Sequence, residues 1–330
     1  MKYEVKNIIG IIASALLLLA STSFAQLAPV SDDISIKLSP KFPGPNEKVE
    51  IEAVSFSFDT KSALFSWFIN GKLTLSGKGK DSVSFLTGSL GSRTTILVSA
   101  QSFEGKLLEK TFVLNIGELH LLWSADTYTP PWYRGKALPT RGSAVKIVAL
   151  PNFFISGRRI SSGSLIYNWS LDGRLLKNNS GRGRDTLFMT PDNSPGIPHK
   201  VKLEVADDTK TVAHEKTIEI APQAPVIAFY ELLSLRGPKY QNSISELELD
   251  SGSNAKIMAV PFFFASNSLD IINYLWNVGG NAIASESENP DILHYQTEPG
   301  SSAAQNISLK IENPNNIFER AENSFTIHVK

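Results

Sequence analysis

The chain has 330 residues, 42% of them hydrophobic, with 32 Lys plus Arg balanced by 32 Asp plus Glu. That length exceeds one β-sandwich and suits two or three domains. The zero net charge excludes a global field that would draw in nucleic acid or an anionic membrane, and the absence of Cys excludes disulfides, thiolate catalysis and zinc–cysteine sites.

The chain opens like a signal peptide. Lys2 and Lys6 form a short basic region, and Ile8 to Ala20 is apolar. Ser23-Phe24-Ala25 places small residues at the −3 and −1 positions, predicting cleavage before Gln26. The apolar run is shorter than the about 20 residues that span a bilayer, so a retained anchor is the second reading. Export without disulfides fits a bacterial rather than an animal secreted domain. Residues 26–33 are expected to be a linker.

Beyond residue 30 the hydrophobic pattern is short and alternating, with turn residues between runs, which predicts strands throughout. Three segments align on their tryptophans. Phe65-x-Trp67-x-Ile69 matches Tyr167-x-Trp169-x-Leu171 and Tyr274-x-Trp276-x-Val278, each placing an aromatic, a Trp and an aliphatic residue on one strand face. A glycine follows each, at Gly71, Gly173 and Gly280, and Asn70-Gly71 and Asp172-Gly173 are hairpin-turn dipeptides. The flanks repeat too: Val49, Ile51 and Ala53 correspond to Val145, Ile147 and Ala149 and to Ile257 and Ala259. The spacing between the tryptophans is roughly the 100 residues of one immunoglobulin-type sandwich. Trp67, Trp169 and Trp276 are therefore expected to be structural core. The predicted fold class is all-β: three tandem immunoglobulin-like sandwiches in a short rod, over residues 34–117, 118–221 and 222–330. Ala221-Pro222-Gln223-Ala224-Pro225 is a stiff linker between the last two.

The aromatic-x-Trp-x-aliphatic strand, its following glycine, and the Val201-x-Leu203-x-Val205 strand followed by Asp207-Asp208 resemble PKD-type and other bacterial immunoglobulin-like repeats of surface proteins. The PKD signature Trp-Asp-Phe-Gly-Asp-Gly is absent; positions 68–72 read Phe-Ile-Asn-Gly-Lys. Residues 123–139 are similar to uncharacterised exported proteins of small-genome bacteria, a likeness that implies no function.

Two loops are candidate contact sites. Ser76-Gly77-Lys78-Gly79-Lys80-Asp81 is echoed by Ser180-Gly181-Arg182-Gly183-Arg184-Asp185. Lys78, Lys80, Arg182 and Arg184 could contact anions, or simply solvate a bend and discourage edge pairing. The stretch Tyr128 to Lys136 carries two prolines and the aromatics Tyr128, Trp132 and Tyr133 beside Arg134 and Lys136. It could bind sugar or protein, or cover apolar surface at the junction with repeat one or at an end of sandwich two. The histidines lack metal-ligand spacing, and no catalytic or phosphate-binding motif is present. The expected role is non-catalytic, with no cofactor and no metal. It is expected to be a secreted or envelope-associated protein that mediates adhesion, protein–protein interaction or scaffolding of a surface assembly. A carbohydrate-binding protein using loop 128–136 is the alternative. The expected partner is a protein or an envelope glycan, with no nucleic acid and a membrane only through an uncleaved signal segment.

Overall fold

The computed structural model describes residues 34–284 and 288–330. The predicted signal segment, its cleavage site and the whole of the linker at 26–33 lie outside them. The protein is all-β. Its only helical turns among the described residues are three short 3-10 segments, and no helix there is long and apolar enough to cross a membrane.

Each repeat is a sandwich of two sheets, antiparallel except at one edge strand of the third. In the first, Lys48–Val54 lies between Ser35–Ser39 and Ser82–Leu86. The facing sheet runs Lys72–Lys78, Leu64–Ile69, Arg93–Gln101, Leu107–Asn115. In the second, Val145–Asn152 lies between Glu118–Ala125 and Thr186–Met189. It faces a sheet in which Ile166–Leu171 pairs with His199–Ala206, which pairs with Ala213–Ile220. In the third, Asn254–Phe262 lies between Val226–Leu233 and Ile292–Gln296. The facing sheet is built on Asn273–Val278, Ala304–Asn313 and Asn316–Val329. This last sheet gains Glu246–Leu249, which pairs with Asn316–Val329 in parallel.

Alternation fills the space between the sheets. Val49, Ile51 and Ala53 point inward while Lys48, Glu50 and Glu52 face water, giving a strict period of two. Trp67 and Trp169 are fully buried and Trp276 is 2% exposed, each at the centre of its own core cluster. The turn after each Trp strand has two consecutive residues with positive φ: Asn70 and Gly71, Asp172 and Gly173, Gly279 and Gly280. That pair of values defines the type I′ turn, whose twist matches that of the flanking strands.

One bend recurs in all three repeats. The indole Nε1–H of Trp67 donates to the Lys80 carbonyl at 2.8 Å, Trp169 to Arg184 at 2.8 Å, and Trp276 to Pro290 at 3.0 Å. The next residue is Asp each time. The carbonyls of Asp81, Asp185 and Asp291 accept the backbone N–H groups of Ala53, Ala149 and Ala259, all at 2.8 Å. A buried indole needs an acceptor, and this bend supplies one while tying the two sheets together.

Candidate functional site

The charged bends have this structural role. Gly79 N–H donates to Ala63 and Gly183 N–H to Leu165, which turns the chain so that the following carbonyl faces the Trp. Both glycines have φ near +70°, and a Cβ on Gly79 would stand 2.8 Å from the Lys61 carbonyl oxygen. Of the four cations considered as anion contacts, Arg182 bonds Asp208 and, at 2.6 Å, the Ser164 carbonyl. Arg184 and Lys80 contribute their carbonyls, and Lys78 ends the strand Lys72–Lys78. The ammonium held firmly at this bend is instead Lys61, which pairs with Asp81 at 2.6 Å. Burial pushes the Asp81 carboxyl up. The hydrogen bonds from Lys61 and Thr60 outweigh that and hold it below its ordinary value.

The aromatic loop covers apolar surface at an end of sandwich two, not at the junction with repeat one. The sequence did not offer its partner: the loop packs on sandwich three. Trp132 meets Tyr240 at 4.5 Å, Tyr230 at 5.4 Å and Phe262 at 5.8 Å between ring centroids. Tyr133 meets Phe262 at 5.4 Å and Phe263 at 6.2 Å. These rings, with Leu138, Val260 and Met258, form a separate hydrophobic cluster between the two sandwiches. Most of the pairs are edge-to-face, the geometry favoured by the ring quadrupoles.

Backbone bonds fasten the same loop. Tyr128 N–H donates to the Phe264 carbonyl at 2.7 Å, and the Tyr128 carbonyl accepts from Phe263 at 2.8 Å. Thr127 bridges Ala265, and Gln223 of the proline-rich linker donates to Pro139 at 2.7 Å. Beneath this contact the carboxylate of Glu319, 2% exposed, takes the Ala265 N–H, Ser268 Oγ at 3.0 Å and Asn313 Nδ2 at 2.6 Å. Lys136 turns away and sits over the Trp123 ring, 3.0 Å from its centroid, and burial lowers its pKa. Arg134 is exposed. The proposed contact set is therefore divided. Tyr128, Trp132 and Tyr133 hold two sandwiches together, Lys136 braces a strand of its own sandwich, and Arg134 faces solvent.

The junction of sandwiches one and two is also filled. Phe42 stacks on His214 at 5.4 Å, and His214 stacks in turn on Phe153 at 6.2 Å. Lys41 pairs with Glu215 at 3.1 Å. A Cβ on Gly117 would lie 2.8 Å from the Phe153 ring, so only glycine fits where the two repeats abut.

One pair has the look of catalytic machinery. His199 Nδ1 lies 2.7 Å from the Asp172 carboxylate. The ring is 2% exposed, and its Nε2 is held by the N–H groups of Asp192 and Asn193, each at 3.3 Å. Both nitrogens are thus engaged within the sandwich, and the pair pins the Asp172-Gly173 turn to the strand that starts at His199. Asp207 accepts from Val212 N–H at 2.7 Å and from Thr209, closing a loop on itself. Among the described residues no group of three or more acidic or histidine side chains is gathered as a metal site.

No family model matches the chain, and no curated protein matches it in sequence. In structure it is similar to the three N-terminal domains of the highly immunogenic outer capsid protein of bacteriophage RB49. The identity is 11% and the TM-score 0.27, over 90% of this chain and 98% of that one. It is similar also to SGBP-B of the Bacteroides ovatus mixed-linkage glucan utilization locus, solved with a mixed-linkage heptasaccharide. There the identity is 12% and the TM-score 0.21, over 91% of this chain and 70% of that one. Immunoglobulin domains 1–5 of Sidekick-1 align at 9% identity and a TM-score of 0.23, over 90% and 60%. The likeness is one of fold alone.

Proposed function

We propose that this is a non-catalytic, exported protein of the cell surface or envelope. Its three sandwiches hold interaction surfaces at a fixed spacing, for adhesion or for scaffolding a surface assembly. The observation that carries this reading is the pair of filled joints. The most aromatic loop of the chain lies between sandwiches two and three, and Phe42, His214 and Phe153 lie between one and two. Independent modules on a flexible string would not need such contacts, because interdomain motion is the default unless an interface restrains it. The apolar N-terminal segment and the Ser23-Phe24-Ala25 site support export. Carbohydrate binding through loop 128–136 is disfavoured, since Trp132 and Tyr133 contact sandwich three rather than forming an open platform.

Small-angle scattering of the full chain tests the spacing, and antibody labelling of intact cells tests the location. The expected results are one fixed arrangement and surface labelling. Scattering that requires an ensemble of bent forms, or labelling only after permeabilisation, would overturn the reading.

A further inference from the structure

Both joints use the same two corners of the receiving sandwich. One is the turn after its Ala-bearing strand; the other is the loop before its last strand. In sandwich two these are Phe153 and Phe154, packed against Gly117 and Gly91, and Thr211, whose carbonyl accepts from Asn115 at 3.4 Å. In sandwich three they are Phe262 and Phe263, under Trp132 and Tyr133, and Asn316, whose Nδ2 donates to the Arg141 carbonyl at 3.4 Å.

The repeat identifies the counterparts in sandwich one. Ala53, Ala149 and Ala259 make the same bond to the Asp bend. Counting on three residues from Ala53 and from Ala259, Phe56 stands where Phe262 stands in sandwich three; the same count from Ala149 reaches Asn152, the neighbour of Phe153. The loop between Arg93–Gln101 and Leu107–Asn115 carries Phe103. Strand direction puts both at the end of sandwich one that faces away from sandwich two, and there Phe56 is 84% and Phe103 88% exposed. Glu109 adds a charge in register. It follows Leu108, which pairs with Ala100, just as Glu215 follows His214, which pairs with Val205. Glu215 is the residue that holds Lys41.

We infer that this end of sandwich one is a third receiving face, for the C-terminal end of an immunoglobulin-like sandwich of another protein. That partner presents a proline-flanked aromatic beside a cation. The proline-flanked aromatic is read from both donors inside the chain, Lys41-Phe42-Pro43 and Pro131-Trp132-Tyr133, and the cation from Lys41, which Glu215 holds. Phe56 and Phe103 receive the aromatic, and Glu109 receives the cation. Large exposed aromatics at one end of a domain mark an interaction site. A second copy of this chain is a poor donor. The far end of sandwich three carries the polar turns Asp250 to Ser253 and Glu298 to Ser301, and the side chain most exposed there is Leu235 at the tip of the Leu233–Gly237 hairpin, an aliphatic residue in place of the aromatic.

The inference rests on the scaffold reading, but its test is separate. A dye-labelled peptide with the sequence of residues 38–47 is titrated into the full chain and followed by fluorescence anisotropy. Saturable binding with a dissociation constant on the order of 1 mM or tighter is expected. The double variant Phe56→Ser/Phe103→Ser should bind at least about tenfold more weakly, a loss of about 1.4 kcal/mol, with its unfolding midpoint unchanged. Glu109→Lys should weaken binding as well. Absence of saturable binding, equal binding by the double variant, or self-association of the wild-type chain that Phe56→Ser abolishes would overturn the inference. A fixed arrangement in scattering together with no peptide binding would leave the scaffold reading standing and sink this one.

Discussion

The Trp169 indole and the Arg184 carbonyl lie 2.8 Å apart, and this bond joins the centre of one sheet to the bend that enters the other. Replacing Trp169 by Phe keeps most of the apolar volume but orphans a carbonyl, at a cost of about 1–3 kcal/mol. Replacing it by Ala adds a large cavity and costs about 3–5 kcal/mol. Denaturant unfolding should rank the two variants in that order. Equal stability of Trp169→Phe and wild type would remove the hydrogen bond from the account.

Gly71 and Gly79 separate backbone strain from steric clash. Both have positive φ, but a Cβ at Gly71 meets nothing within 4 Å, whereas at Gly79 it meets the Lys61 carbonyl oxygen at 2.8 Å. Gly71→Ala should cost about 1–2 kcal/mol from the left-handed conformation alone. Gly79→Ala should cost more, because the bend must move and the Trp67 bond moves with it. Matching unfolding free energies for the two variants would contradict the clash.

Trp132→Ala should loosen the joint between sandwiches two and three without unfolding either. Each aromatic pair it removes is worth about 0.5–1.5 kcal/mol, and Trp132 makes three. Calorimetry should then resolve sandwich three as an earlier, separate transition, and scattering should show a broadened range of sizes. A single unshifted transition would mean that the backbone bonds around Tyr128 hold the joint by themselves.

His214 gives the first joint a dependence on pH. Burial between Phe42 and Phe153 lowers its pKa below the ordinary 6.5, and Lys216 acts in the same direction, while the Glu215 carbonyl and the charges of Glu215 and Glu47 partly oppose it. The unfolded chain therefore binds a proton here before the folded one does, so stability falls as pH drops below about 6.5 and levels off below the folded pKa. His214→Phe should flatten that slope. Titration of the His214 ring signals by NMR gives the check: a folded value at or above 6.5 would reverse the sign.

The strands were legible because burial on one face imposes alternation, and the Trp strands show it in all three repeats. The turns were legible because Asn70-Gly71 and Asp172-Gly173 admit few conformations. The charged bends were harder. Lys78, Lys80, Arg182 and Arg184 drew attention to their side chains, whereas two of those residues act through carbonyls that any residue carries. The aromatic loop was legible as a feature but not as a contact. Its partners Tyr230, Tyr240 and Phe262 lie far along the chain, and periodicity speaks only of neighbours. The run Pro261-Phe262-Phe263-Phe264 was the available clue: three consecutive aromatics exceed what one strand face can bury, so a second surface has to cover the rest.

Sandwich three differs from the others in one ladder, the parallel pairing of Glu246–Leu249 with Asn316–Val329. Tension along the chain that pulls those two strands in opposite directions loads their hydrogen bonds in shear, so that Glu246, Leu247, Glu248 and Leu249 must slip together rather than open one pair at a time. Among the described residues, the opening strands of sandwiches one and two, Ser35–Ser39 and Glu118–Ala125, pair with antiparallel neighbours, and the only parallel pairing near the closing strand of sandwich two is the single bridge of Thr140 to Gln223. In a protein stretched between two anchored points, sandwich three is thus the mechanically strongest link, and extension under force begins nearer the N-terminus.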